Sequence, residues 1–395
     1  MIFQIIDDKK DCYGVYIDGE ILHTEIKDEF DKTWGYSDHL GDARIDLAQL
    51  YCGGKGLTEM CPPEIKDRFI ARRDKLKAFV NSFITAKVNL QDICFYDLVP
   101  PQHIKHYYDL KNEISESVFE NFTRPKNYTF LHDTTVMCYE IAQQELVLNR
   151  QLLKKYAKDD YKAFHLAQRF WSRKAFVNYN IFGTKTGRLG LHEGSFPILN
   201  LKKSHRRAVQ PKWDYFVELD YNGSEIRTLL ALSGQHQPKE DIHKWNMEHV
   251  FQDEVTRDVA KKRIFSWLYN SRSNAIDSEY YDRQRVLGKY YKNGYVHTPF
   301  GRLIEADDFH ALNYLLQSAS SDNCITQVNL LHRFLRDKKS NVAFIIHDSV
   351  ILDLHYDERH LLPQIREIFM DTKLGKFKTN MQVGTNLGKM QEIQW

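Results

Sequence analysis

Val342-Ala343-Phe344-Ile345-Ile346-His347-Asp348-Ser349-Val350-Ile351-Leu352-Asp353-Leu354 sets two strongly apolar runs on either side of a polar triplet. Runs of this length and β-branched content read as strands. The simplest local structure is a β-hairpin with His347-Asp348 at its turn and both strands buried on at least one face. An aspartate in a turn is common chemistry. An ionised group beside a core is not, because it needs a partner or a metal. A second stretch repeats the arrangement: Tyr215-Phe216-Val217-Glu218-Leu219-Asp220 ends an apolar run on an aspartate. If the two strands are neighbours, their carboxylates converge. Paired carboxylates can share two divalent ions roughly 3.5–4 Å apart, and oxygen-rich ligation suits Mg2+, with Mn2+ as the alternative.

Between the two stretches lies Arg257-x3-Lys261-x3-Phe265-x3-Tyr269. On a helix this four-residue spacing puts all four side chains nearly along one face. Fixed cations can hold phosphates, and flat rings can lie against a base. The plainer use of the same pattern is an amphipathic helix with Phe265 and Tyr269 in the core and the cations in solvent. Likewise Glu225 and Arg227, just past Asp220, can be no more than an exposed helix start. Upstream, Thr186-Gly187-Arg188-Leu189 puts a cation on a glycine-permitted turn.

The chain has 395 residues, enough for two or three domains and a sizeable core. Apolar content is 42% and net charge only +2, so bulk charge names no polyanionic partner. Local clusters do: Arg169 with Arg173 and Lys174, Lys185 with Arg188, Lys202-Lys203 with Arg206-Arg207, and Lys261-Lys262-Arg263. The six cysteines show no CxxC spacing, which argues against a disulfide framework and against zinc. A reducing, cytoplasmic setting is expected. No apolar run reaches membrane-spanning length, and Met1-Ile2-Phe3-Gln4-Ile5-Ile6-Asp7 has no basic region ahead of a long apolar stretch.

Residues 1–30 read as short strands, with Asp18-Gly19 as a hairpin turn. Helical periodicity follows from Pro62 to Lys87, then from Pro100-Pro101 through Ile104, Tyr108, Ile114 and Val118. A further long helical region is expected from about Thr134 to Lys174. After residue 176, strands at 214–221 and 342–354 bracket helical segments at 240–292 and 307–336. This is α+β organisation, with helices inserted between strands of one sheet.

Taken in order, these segments resemble the family A DNA polymerases, the DNA polymerase I-like group, over about residues 176–395. Thr186-Gly187-Arg188-Leu189 with Asn200 resembles that family's TGRL…N. Asp220-Tyr221-Asn222-Gly223-Ser224-Glu225-Ile226-Arg227 resembles its DYSQIELR, and Asp241-Ile242-His243 its DIH. The Arg257 to Tyr269 array resembles RxxxKxxxFGxxYG. Gly294-Tyr295-Val296 with Phe300-Gly301-Arg302 resembles GYV…FGR, Asn313-x3-Gln317 resembles NxxxQ, and His347-Asp348-Ser349 resembles HDE.

The resemblance implies a right hand: an antiparallel palm sheet, helical fingers and thumb, and a small N-terminal domain, in a compact phage-type polymerase. The implied divisions are 1–130 for a reduced or replaced exonuclease-like region, 131–185 for a thumb-like part, 186–239 and 294–395 for the palm, and 240–293 for the fingers. The implied partners are primer–template DNA and dNTPs, with a replication accessory protein as a further one and no membrane. Asp220 and Asp348, with the Tyr221 carbonyl, would hold two Mg2+ ions. Arg257, Lys261 and His243 would grip the triphosphate. Phe265 would stack on the incoming nucleotide, Tyr269 would sit by the template base, and Glu225 would crowd the 2′ position. Arg188, Asn313, Gln317 and His347 would contact the nucleic acid near the primer terminus, where minor-groove acceptors are nearly independent of sequence.

The chain also departs from the family pattern. Ser349 stands where the family has Glu, Ser266 and Asn270 where it has Gly, and Phe309 where an arginine is expected. Asp18-Gly19-Glu20 has the D-x-E form of an exonuclease motif but falls on an expected turn. Three readings follow: a DNA polymerase lacking proofreading, an RNA-synthesising or lesion-bypass polymerase, and a degenerate polymerase acting only as a nucleic-acid-binding replication factor. Glu225 and Phe265 favour deoxynucleotides, and Ser349 is the best support for the third reading.

Overall fold

The computed structural model describes residues 2–8, 11–23, 30–41, 45–90, 93–270, 273, 276 and 278–393. The chain divides into two compact units, Met1–Val136 and Met137–Trp395. In the first, the strands Phe3–Asp8, Asp11–Ile17 and Glu20–Leu22 form an antiparallel sheet in chain order. The turn falls on Asp18-Gly19, both at positive φ (46° and 86°), as a tight hairpin between twisted strands requires. Asp18 and Glu20 therefore sit exposed at a hairpin tip. Two helices, Lys66–Thr85 and Pro101–Asn121, follow the expected periodicity. Proline at the first position of the second helix sacrifices only an N–H that has no helical partner. Ile104 and Tyr108 from that helix pack on Ile6 and Tyr16 of the sheet.

The helical region expected over Thr134 to Lys174 is built of several helices. The structure has helices Tyr128–Ala142, Arg150–Tyr156 and Tyr161–Phe170. Two side chains make the breaks. Asn149 accepts a hydrogen bond from the Leu152 N–H at 2.9 Å, and Asp160 accepts from Lys162 and Ala163 at 2.9 and 3.1 Å. Such N-caps satisfy orphan donors and start a new helix, each worth about 1 kcal/mol. Val147–Leu148 leaves the helical path to pair with Val209–Gln210.

The second unit is built on a five-stranded antiparallel sheet. Its spatial order is Asn341–Ile346, Ser349–Leu354, Tyr215–Tyr221, Thr379–Gly384 and Gln391–Glu392. The expected hairpin is present, with His347-Asp348 as a two-residue turn and His347 at φ 56°. Asp220 is directly opposite Ser349 in the neighbouring strand, so the two aspartate-bearing segments are adjacent. The alternation along Tyr215–Tyr221 places Phe216, Glu218 and Asp220 on one face. Tyr221 points to the other, where its ring stacks on Phe369 at 4.3 Å and its hydroxyl donates to the Phe369 carbonyl at 2.7 Å. Helix Ala311–Leu335 packs on this unit through an unusually long buried run, including Leu315, Ala319, Cys324 and Val328. Fully burying each large apolar side chain of such a core stabilises the fold by about 1.5–3 kcal/mol. Helices Ile242–His249, Arg257–Tyr269 and Arg283–Tyr290 pack around Trp267, Leu268, Tyr281 and Val286, in a core continuous with Leu229 and Leu230 and with Leu312 and Leu315 of helix Ala311–Leu335. The architecture is α+β, as expected from the order of the segments. Among the described residues, no helix is long and apolar enough to cross a membrane.

Candidate active site

Register brings the two aspartates together. Asp220 is the penultimate residue of strand Tyr215–Tyr221, and Asp348 occupies the turn beside the strand residue that faces it. Both carboxyls titrate above the ordinary range. Burial is the main cause for each, and for Asp220 the negative charges of Asp348 and Glu218 add to it, raising it to about 7. The lack of donors is informative. Among the described residues, Asp220 accepts no hydrogen bond, and the only one at Asp348 comes from its own backbone. Asp353, in the same sheet, is buried more deeply than these half-buried aspartates, and it accepts N–H bonds from Lys212 and Trp213 at 2.7 and 2.9 Å. A buried carboxylate in a folded protein is normally satisfied in that way. Two neighbouring carboxyls that lack it are under-neutralised by the protein, and that fits a site for hard dications. Among the described residues, no three acidic, histidine or cysteine side chains lie close enough to form a complete metal-ligand set.

Glu218 escaped the sequence reading, although its period-2 spacing from Asp220 was there to be used. It is half-buried and accepts a hydrogen bond from the Ser349 hydroxyl at 3.3 Å. The same hydroxyl lies 3.0 Å from the Ile346 carbonyl.

The segment after Asp220 is held by a network that depends on Gly223. Its φ is 71°, and a Cβ there would meet Ile242 Cγ2 at 2.6 Å, so only glycine fits. The plain alternative of an exposed helix start is overturned, because Glu225 and Arg227 are both buried. Arg227 is fully enclosed. Its guanidinium donates to the carbonyls of Asn222, Pro238 and Glu240 at 2.7, 2.8 and 2.7 Å. Burial lowers its pKa to about 10, so it remains charged at neutral pH. Asn222 also receives the Ile242 N–H at 2.7 Å and donates to Asp241 at 2.8 Å. Asp241 in turn caps helix Ile242–His249 through the His243 and Lys244 N–H groups, each at 3.0 Å.

Arg257 pairs with the same Asp241 in a two-pronged contact, Nε at 3.1 Å and Nη2 at 2.7 Å. That geometry fixes the guanidinium. Hydrogen bonds from Arg257 and Asn222 hold the Asp241 carboxyl well below its usual range despite burial. His243 is buried and, among the described residues, its Nδ1 has no hydrogen-bond partner. Burial lowers its pKa to about 4, so its ring is neutral at pH 7. A neutral ring can offer one N–H donor but no positive charge.

Helix Arg257–Tyr269 turns Ala260, Ile264, Trp267 and Leu268 to the core. The four-residue array is therefore not the core face, which removes the plainer use of the pattern. Lys261 is exposed and, among the described residues, makes no hydrogen bond or ion pair, while its charge draws the Asp220 pKa down. Phe265 is half-buried, and Tyr269 is 46% exposed and stacked on it at 6.0 Å. The Tyr269 hydroxyl donates to Glu225 at 2.5 Å, and the Arg188 guanidinium donates to the other oxygen of that carboxylate. Glu225 thus joins the Thr186–Leu189 turn to the array. That turn has its own constraint: Gly187 has φ 78°, and a Cβ there would strike Arg302, whose Nε bonds the buried Asp322 at 2.7 Å. Asn313 and Gln317 bond each other at 2.7 Å on helix Ala311–Leu335, half-buried. His347 is exposed at the hairpin tip. Electrostatic coupling links Asp348 to Asp220, Arg188 and Tyr269, so these groups share one locality.

Among solved structures, the POL domain of Pol1 from M. smegmatis, in complex with DNA primer-template and dNTP, matches this chain with a TM-score of 0.60. The match covers 73% of this chain and 76% of that one, at 14% sequence identity. No protein-family model matches the chain, and no curated protein does. At that identity the likeness shows the fold: this chain has the fold of a polymerase domain.

Proposed function

We propose that this protein is a template-directed DNA polymerase of the family A type, adding deoxynucleotides to a primer 3′ end without a proofreading exonuclease. The observation that carries the reading is the pair of half-buried, donor-poor aspartates of a polymerase-type fold, one on a sheet strand and the other in the adjoining hairpin turn, with a cation and stacked rings beside them. The partners proposed are primer–template DNA and dNTPs, such as the M. smegmatis domain holds in its complex. The sheet and its flanking segments, 186–239 and 294–395, would be the palm, 240–293 the fingers and 131–185 the thumb, with 1–130 a separate N-terminal region.

The residues that would hold divalent ions are Asp220 and Asp348, with the Tyr221 carbonyl. Mg2+ bound there would supply charge neutralisation at the reacting phosphate and a more acidic primer hydroxyl. The reaction is attack of the primer 3′-oxygen on the α-phosphorus, with pyrophosphate leaving. Catalysis of this kind is mostly positioning and electrostatic stabilisation. Lys261 presents an uncommitted ammonium to the triphosphate. Arg257 adds a guanidinium held in place by Asp241, and His243 offers a neutral N–H donor. Phe265 and Tyr269 present parallel faces for a base. Glu225, fixed between Arg188 and Tyr269, would press on the sugar edge and exclude a 2′-hydroxyl. Arg188, Asn313, Gln317 and His347 would meet the primer–template.

Extension of a labelled primer on a DNA template, with Mg2+ and either dNTPs or rNTPs, tests the reading beside the Asp220→Ala protein. Extension with dNTPs that disappears in the variant supports it. Extension that survives in Asp220→Ala, or tight template binding with no extension, refutes it and favours a protein that only binds nucleic acid.

A further inference from the structure

Helix Tyr161–Phe170 has two faces of opposite use. Ala163, Leu166 and Phe170 point inward, and Phe170 packs on Phe196 at 5.2 Å. The outward face is also aromatic. Tyr161 is 77% exposed, Phe164 48%, and Trp171, immediately after the helix, 43%. Large rings at these exposures lose hydrophobic stabilisation, and several on one helix face mark a contact surface. Their arrangement is ordered. His165 stands edge-on to both neighbours, 4.2 Å from Tyr161 and 5.6 Å from Phe164, so the cluster is braced while its outer faces remain open. The Lys154 ammonium lies 5.2 Å over the Trp171 ring. From Tyr161 to Trp171 the row runs about 15 Å.

Charge defines the occupant. Between Lys154 and Lys174 the chain carries seven cations against two acids. One of those acids, Asp160, is already engaged by the helix N-terminus and by the Lys202 ammonium. Lys158 and Lys162 are exposed and, among the described residues, have no ion-pair partner. Open rings interleaved with uncommitted cations match a strand with charged phosphates and exposed base faces. A duplex does not fit, because its bases are stacked on one another and offer no free face.

The geometry points to a second nucleic-acid site on this face, one that binds single-stranded nucleic acid by stacking unpaired bases on Tyr161, Phe164 and Trp171. The cations Lys154, Lys158 and Lys162 meet the phosphates. The site shares no residue with the Asp220 and Asp348 pair and needs neither nucleotide nor metal. Its contribution is weakly sequence-dependent, because every base has a flat face.

The test is fluorescence anisotropy of the full chain with a labelled single-stranded dT20 and with a blunt 20-bp duplex, in EDTA and without nucleotides. The double variant Tyr161→Ala/Phe164→Ala should weaken dT20 binding by about 10- to 100-fold, as the loss of two stacking rings implies. Blunt-duplex affinity should move less than about twofold, because a duplex has no base face for those rings. Tyr161→Phe should keep dT20 binding and Tyr161→Leu should lose it, since leucine preserves the apolar surface without the flat ring. Lys158→Ala/Lys162→Ala should make the salt dependence shallower by about one to two charges. Unchanged dT20 affinity in the aromatic double variant would overturn the assignment. Equal losses for dT20 and duplex would also overturn it, as would full binding by Tyr161→Leu or displacement of dT20 by poly-glutamate as readily as by unlabelled dT20. Because the assay contains no nucleotide or metal, these outcomes are independent of whether primer extension occurs.

Discussion

Replacing Asp220 with asparagine should stabilise the metal-free protein above neutral pH. The carboxyl titrates near 7 in the folded chain against an ordinary value of 3.8, with burial the main cause and the charges of Asp348 and Glu218 adding to it. Between those two values the folded state holds a proton that the unfolded state has released. Stability therefore falls as pH rises from about 4 to 7, and the full cost persists above that. At about 1.4 kcal/mol per pH unit the cost reaches roughly 4 kcal/mol. Asparagine has nearly the same shape and no charge to bury. Allowing for relaxation around the site, the variant should gain about 2–4 kcal/mol at pH 8, a rise of roughly 2–5 °C in Tm for a chain of this size. His243, with its pKa lowered to about 4, contributes in the opposite sense over pH 4 to 6.5, but equally in both proteins, so it cancels in the difference. The assay is thermal and urea unfolding in EDTA at pH 5 and pH 8. Mg2+ should then recover stability in the unmodified protein by mass action, and less in Asp220→Asn. A variant no more stable than the parent at pH 8, or a gain equal at both pH values, would refute the claim that this carboxylate is held at a cost for function.

Three other substitutions probe the neighbourhood. Glu225→Ala should raise ribonucleotide incorporation relative to deoxyribonucleotide by at least about tenfold, the scale of a steric gate, and an unchanged ratio in competition assays would remove Glu225 from sugar selection. Lys261→Ala should raise the KM for dNTPs about 10- to 100-fold, the loss of one charge-assisted contact, while the Kd for primer–template stays within about threefold; equal losses would make it a nucleic-acid contact. Gly223→Ala should cost about 2–4 kcal/mol in urea unfolding, from left-handed strain and the collision with Ile242, and a cost under about 1 kcal/mol would contradict the geometry at that turn.

Local pattern carried the parts of this structure whose cause is local. The hairpin at 341–354 was legible because only the polar triplet His347-Asp348-Ser349 separates two apolar runs. The outward array on helix Arg257–Tyr269 was legible as a face but not as an exposed one. That had to await the core side, where Ile264, Trp267 and Leu268 take the buried positions. The helical region from Thr134 to Lys174 was legible but its internal boundaries at Asn149 and Asp160 were not, because a polar residue within an apolar periodicity can as easily face solvent as cap a helix. The pairing of Val147–Leu148 with Val209–Gln210 depends on residues about sixty positions away. Arg227 shows the same limit: its burial requires the carbonyls of Pro238 and Glu240, which no neighbouring residue announces. Glu218 was the avoidable omission, since strand alternation alone places it on the Asp220 face.

The most direct test of the central claim is single-nucleotide incorporation on four primer–templates that differ only in the next template base, each offered the four dNTPs singly with Mg2+. Each template should favour one nucleotide, set by pairing, and Asp348→Ala should lose incorporation completely, with primer–template affinity retained. Incorporation that ignores the template base, or that persists in Asp348→Ala, would contradict template-directed synthesis at this pair of aspartates.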